Sequence, residues 1–143
     1  MSRFLTEADY DPHIKAEIKK AVTGTTDPAS PSAKQLLAEE TAIAHIREYI
    51  GGRCDCDDIF SKTGNNRNKF IVKVVVVITL YDLYHQTGAA DIPDHRKDDY
   101  DDVIQWLKDV GRGDISTTLP PVSSDTSSGD FRFFSRPYID QDW

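Results

Sequence analysis

Cys54-Asp55-Cys56-Asp57-Asp58 sets soft and hard metal ligands side by side. A structural zinc site takes four nitrogen or sulfur ligands, usually from paired C-x2–4-C or Cys/His sets. This chain has one C-x-C and no other cysteine, so the run reads as a polar loop with two incidental thiols. Two positions apart, the cysteines could bridge each other only with strain, and free thiols in a reducing compartment are expected. The densest acidic cluster is Asp91, Asp94, His95, Asp98, Asp99, Asp101 and Asp102. A metal-dependent phosphodiesterase would need such carboxylates converging on one Mg²⁺ with a base nearby. Asp94, Asp98 and Asp101 do share a helical face at i, i+4, i+7. Arg96 and Lys97 are interleaved, however, and no matching carboxylate motif stands elsewhere. An acidic, solvated helix start accounts for the same residues.

No Gly-rich phosphate loop, nucleophile elbow or H-E-x-x-H is present. His13, His45, His85 and His95 read as surface or satisfied helix residues. Tyr81, Tyr84, Tyr100 and Trp106 lie on apolar helix faces and read as core, not as a base-stacking platform. The expectation is therefore no enzyme, no catalytic set, no metal and no cofactor.

The elements that would position these residues follow from composition and period. At 143 residues, the chain has room for one domain with one modest core. Hydrophobic residues make up 38% and charged residues 29%, which places it in the globular range. A net charge of -7 argues against tight sequence-independent binding to duplex DNA. The first ten residues lack the basic-then-apolar layout of a signal peptide. The most apolar stretch, residues 70–81, is too short for a bilayer and contains Lys73. A soluble, intracellular product is expected.

A first helix is expected from Asp11 as N-cap, with Pro12 at its first position and Ile14, Ile18 and Val22 at helical spacing. Residues 6–10 would form a separate short turn. After a loop over 23–31, Ser32 and Gln35 match a capping box. They open a helix with an apolar stripe of Leu36, Ile43, Ile46 and Ile50, widened by Leu37 and Ala44 and stopped by Gly51-Gly52. Residues 69–86 have strand composition in Val74–Ile78 but are long for a strand. Phe70, Val74, Val77, Tyr81 and Tyr84 share a helical face, so the spacing predicts a central, largely buried helix. A further helix runs from about Pro93 to Val110 on Tyr100, Val103, Ile104, Leu107 and Val110, with Gly111 as its C-cap. The fold class is thus all-α: a small bundle of about four helices with a long central apolar helix and an extended, flexible C-terminal tail. The domains are expected at 1–113 for the helical body, 114–130 for a flexible linker, and 131–143 for an aromatic and basic docking tail. Phe131, Arg132, Phe133, Phe134 and Arg136 are the docking candidates, because the body's own core does not need them; the alternative is that the tail folds back onto its own domain.

The run from Arg96 to Gly113 also carries a resemblance. An Arg (Arg96) precedes a Tyr (Tyr100) by four residues, and Trp106-Leu107 follows within one helix. That helix closes on a Gly-containing turn at Gly111 ahead of Leu119-Pro120. With the Leu5–Tyr10 opening, the Arg-containing loop over 53–60 and the Phe/Arg tail, this resembles the Mu-like tailed-phage and prophage neck protein family. That family was long catalogued as a domain of unknown function and is related to head–tail connector and head-completion proteins. Cys54, Cys56 and the four consecutive valines depart from its pattern.

The resemblance implies a helical structural adaptor in virion assembly. Copies would form an oligomeric ring, expected to be a dodecamer, below the portal, joining the DNA-filled capsid to the tail. Its partners would be the portal protein, tail or stopper proteins and itself, with DNA passing through the lumen without sequence-specific binding and no membrane involved. It would sit in the virion neck, and in the bacterial cytoplasm during assembly. The alternative is a phage- or prophage-encoded regulatory module docking through its C-terminal tail; a metal-dependent phosphodiesterase built on the acidic cluster comes third.

Overall fold

A computed structural model of the protein describes residues 3–14, 18, 32–86 and 92–122. They contain four α-helices: α1 (Ala33–Ile50), α2 (Cys56–Ser61), α3 (Lys69–Gln86) and α4 (Asp94–Arg112). Two short 3-10 turns lie at Glu7–Tyr10 and Gly64–Asn66. Among the described residues there is no strand, only an isolated antiparallel pairing of Cys54 with Pro121. The fold is the all-α bundle that the hydrophobic period predicts, with α1, α3 and α4 packed on one another in pairs.

The centre of the bundle is α3. Asn68 starts it, its side-chain oxygen accepting from the backbone N–H groups of Phe70 and Ile71 at 3.0 and 3.1 Å. From Val74 to Leu80 every residue is buried. Four valines in a helix give up roughly 2–3 kcal/mol of propensity against alanine. Burying the same four side chains returns about 1.5 kcal/mol or more each, so burial outweighs strand preference. The result is the expected central, largely buried helix, although not every residue of its expected apolar face is covered. The valine segment is enclosed all round, Phe70 is 43% exposed, and Tyr81 is half-buried.

In α1 the start and stop fall as the sequence predicts, but the buried stripe does not. Ser32 Oγ accepts from the Gln35 N–H at 3.1 Å, and the helix ends before Gly51. The return half of the capping box is absent, because the Gln35 side chain turns to Glu7 and Glu39 instead. The buried residues are Gln35, Ala38, Glu39, Ala42, Ile46 and Ile50. Leu36 and Ile43 are only partly covered, Ala44 is exposed, and Leu37 is 61% exposed. Two alanines on the inner face let α1 approach its neighbours closely, and the larger side chains fall to the flank.

The expected N-cap at Asp11 is not one. Asp11 has helical angles (φ -55°, ψ -42°) and follows the Glu7–Tyr10 turn, whose start is closed by Asp9 accepting from the Thr6 N–H at 2.6 Å. Ile14 is buried but Ile18 is 43% exposed. Val22, like the rest of that expected helix beyond Ile14 apart from Ile18, lies outside the described residues.

At the other end, α4 runs two residues past the expected Val110. Its C-cap is Gly113, in the left-handed region at φ 82°, and not Gly111. Residues 114–122, the described part of the expected linker, follow it. Leu119 is buried, Pro121 pairs with Cys54, and the Val122 N–H donates to the Arg53 carbonyl at 2.9 Å. Residues 119–122 are thus paired with the 53–55 loop; residues 123–130 of the expected linker and the tail over 131–143 lie outside the described residues.

Candidate functional site

Two neighbouring features of the 51–61 region organise the surface: a stitched root, where Pro120 and Val122 are hydrogen-bonded to Asp55 and Arg53, and a groove beside it. The root is built on Arg53. Its guanidinium donates to the Gly111 and Arg112 carbonyls at 3.1 and 3.2 Å, satisfying orphan acceptors at the end of α4. Its own carbonyl takes the Val122 N–H, and the next residues continue the stitching: the Asp55 N–H donates to the Pro120 carbonyl at 2.8 Å. The Asp55 side chain then caps α2 by accepting from the Asp58 N–H at 3.1 Å. Gly111 has a packing role here. A methyl group in its place would collide with the Tyr49 carbonyl, so glycine lets the end of α4 touch the end of α1.

The groove, about 830 Å³, lies between the N-terminal segment, α1 and α2. Its apolar walls include Phe4, Leu36, Ile43 and Phe60; Glu40, Arg47 and Asp57 stand along its rim. Phe4 and Phe60 meet edge to face at 5.0 Å. Arg47 pairs with Asp57 at 2.7 Å and also lies 5.5 Å from the Phe60 ring centre. Since Asp57 is 90% exposed, solvent screens that pair.

Behind the groove a polar network ties the N-terminal segment to α1. Arg3 reaches both Glu39 oxygens at 2.8 and 2.6 Å and Glu7 at 2.7 Å, while the Tyr10 hydroxyl donates to Glu39 at 2.5 Å. Glu39 is only 4% exposed, so these donors offset the cost of burying its charge. Burial, with the Glu39 charge beside it, pushes the Tyr10 hydroxyl far above its ordinary range, which keeps it a proton donor. Arg67 ties down the same segment through the Asp9 carboxylate at 2.5 and 3.1 Å and the Phe4 carbonyl at 2.9 Å.

The residues read as chemical candidates are scattered. Burial raises the pKa of both the Cys54 and Cys56 thiols, and Arg53 and Arg47 respectively oppose it only in part. Both are free and buried in the core. Asp94, Asp98, Asp101 and Asp102 point to solvent along α4. Among the described residues no three His, Cys, Asp or Glu side chains converge as metal ligands would. His45, His85 and His95 are exposed, whereas burial and then the nearby Arg96 and Lys73 charges hold His13 below its ordinary pKa.

The motif residues of α4 act in packing. The Arg96 side chain is buried, donates to the His13 carbonyl, and lies 5.8 Å from the Tyr84 ring centre. Tyr100 stacks on Tyr81 at 4.0 Å, Trp106 meets Phe70 edge-on at 4.6 Å, and Leu107 is fully buried. The docking candidates Phe131, Arg132, Phe133, Phe134 and Arg136 lie outside the described residues.

The chain that carries this arrangement matches the family model described as Bacteriophage Mu, Gp36, over residues 6–134. It belongs to the Mu Gp36 family. The match runs from the turn beneath the Arg3–Glu39 network to the third phenylalanine of the tail, so body and tail fall within one family unit. No curated protein and no solved structure matches the chain. Membership in a phage protein family agrees with the resemblance drawn from the α4 motif. Among the described residues no helix is long and apolar enough to cross a membrane.

Arg3, Glu39 and Arg53 are the residues sequence reasoning missed. A glutamate in the middle of a predicted helix, or an arginine after Gly-Gly, gives no local sign of a partner some 36 or 58 positions away. Only the Gly51-Gly52 stop hinted that the chain turns at Arg53.

Proposed function

We propose that this Mu Gp36 family member is a structural, non-catalytic adaptor of the phage neck. In this reading copies form a ring below the portal, expected to be twelve-fold, and join the DNA-filled head to the tail. The observation that carries the reading is a family match that includes both a small helical body and the Phe/Arg segment beyond its stitched root. A ring uses heterologous interfaces, one patch meeting a different patch on the next copy. A body whose chain leaves from a fixed point can present the same segment to every neighbour or to the portal. The acidic balance of the chain suits a lumen through which DNA slides, because like charge prevents phosphate contacts. The exposed aspartates of α4 are the surface best suited to face it.

The test is electron microscopy of particles from a lysate whose copy of the gene carries an early stop codon. Packaged or emptied heads beside free, separately assembled tails are the expected outcome. Tailed, infectious particles in normal numbers would overturn the adaptor reading in favour of a regulatory role.

A further inference from the structure

The groove beside α2 has no assigned occupant. We propose that it is the seat of the chain's own C-terminal segment Phe131–Arg136, held there in the free protein. The seat concerns the isolated chain and stands or falls separately from the neck reading.

Reach is the first argument. Val122 is hydrogen-bonded to Arg53, and Arg53 is four positions from Asp57 on the groove rim. Val122 therefore lies within roughly 20 Å of that rim even at full extension of the intervening residues. Phe131 lies nine positions beyond Val122, a span of up to ~30 Å, so the segment reaches the groove with slack. A tether this short holds the segment near its own groove at roughly millimolar effective concentration, above that of a second copy in dilute solution.

Chemistry is the second. Leu36, Glu40, Ile43 and Arg47 recur at i, i+4, i+7, i+11 on a face of α1 distinct from the buried stripe of Ala38, Ala42 and Ile46. Together with Phe4 and Phe60 they make a groove that is apolar within and net acidic among its described residues. Glu40 has no ion pair in the described structure. The segment Phe-Arg-Phe-Phe-Ser-Arg supplies the complement: three aromatic rings and two guanidinium groups with no acid among them. A volume of about 830 Å³ lies toward the upper end of the range for ligand clefts, enough for several aromatic side chains.

The experiment uses the full chain with p-benzoylphenylalanine in place of Phe133, as an equal mixture of unlabelled and ¹⁵N-labelled protein. After irradiation, cross-linked peptides are mapped by mass spectrometry. Expected are links to residues 36–47 and 57–61 within chains of a single isotope. Glu40→Lys and, separately, Asp57→Lys should each lower that yield fivefold or more. Arg132→Glu with Arg136→Glu should restore it in the Glu40→Lys chain. Both groove substitutions are at exposed positions, so the thermal midpoint should stay close to that of the parent. Links scattered over the body, mixed-isotope links approaching half of the total that an equal mixture allows, or a yield indifferent to both substitutions would each overturn the proposal. The second of those outcomes would mean that another copy takes the seat.

Discussion

Glu39 is a buried carboxylate surrounded by donors, and the Tyr10 hydroxyl is the one whose removal tests the network most simply. Tyr10→Phe keeps the ring in the core and leaves Glu39 to Arg3 and Gln35, which should lower stability by about 1–3 kcal/mol. Urea denaturation would show the midpoint fall, and an unchanged midpoint would mean that the hydroxyl contributes nothing net. The Asp9–Arg67 pair gives a pH signature. Burial works against ionisation of Asp9, but hydrogen bonds from Arg67 and the Thr6 backbone outweigh it and hold the carboxyl below its ordinary value of 3.8. A carboxyl depressed in the folded state adds stability above its unfolded pKa, and that stability is lost as pH falls through the folded pKa. Thermal melts from pH 5 down to pH 2 should therefore fall more steeply for the parent than for Arg67→Met, the two curves converging at the acid end.

At the scale of the element, α1 separates hydrophobicity from burial. Leu37→Lys should change stability by no more than about 0.5 kcal/mol, because the side chain already faces solvent. Ile46→Ala, at a fully buried position, should cost about 2–5 kcal/mol by chemical denaturation. If both changes cost the same, the helix would be turned relative to the arrangement described here. Glycines make a second pair. In a free helix Gly111→Ala would gain about 1 kcal/mol of propensity. Here the added methyl meets the Tyr49 carbonyl, and a net loss of about 1–3 kcal/mol is expected. Gly52→Ala meets nothing within 4 Å and should be close to neutral. Equal effects at the two glycines would contradict the close approach of α4 to α1.

On the scale of the whole molecule, residues 119–122 tie the end of the described chain to the 53–55 loop. Leu119→Ser should loosen the root without melting the helices. Hydrogen exchange at the Asp55 and Val122 amides should speed up at least tenfold while far-ultraviolet circular dichroism stays unchanged. Protection retained at both amides would show that the backbone pairing, and not Leu119, holds the root. Ser, Thr and Pro in residues 116–121 look like tether in composition. The Pro120 carbonyl and the Val122 N–H nevertheless find partners at Asp55 and Arg53, which composition cannot reveal.

The helices themselves were legible because period and end signals are local: Ser32 before α1, Gly51 after it, and eighteen residues without a breaker in α3. Even the valine run resolved correctly on length. The α4 motif was legible as a family likeness, and the family match agrees with it. Which flank of α1 turns inward was not, since Leu36, Leu37 and Ile43 are as apolar as Ile46 and only the neighbouring helices choose among them. The same holds for Arg3–Glu39 and Arg53–Gly111, pairs joined across 36 and 58 positions. Local chemistry determined which segments are helical and where most of them stop. Long-range packing decided which residues those helices bury, that residues 119–122 return to the 53–55 loop, and that a groove opens beside that root.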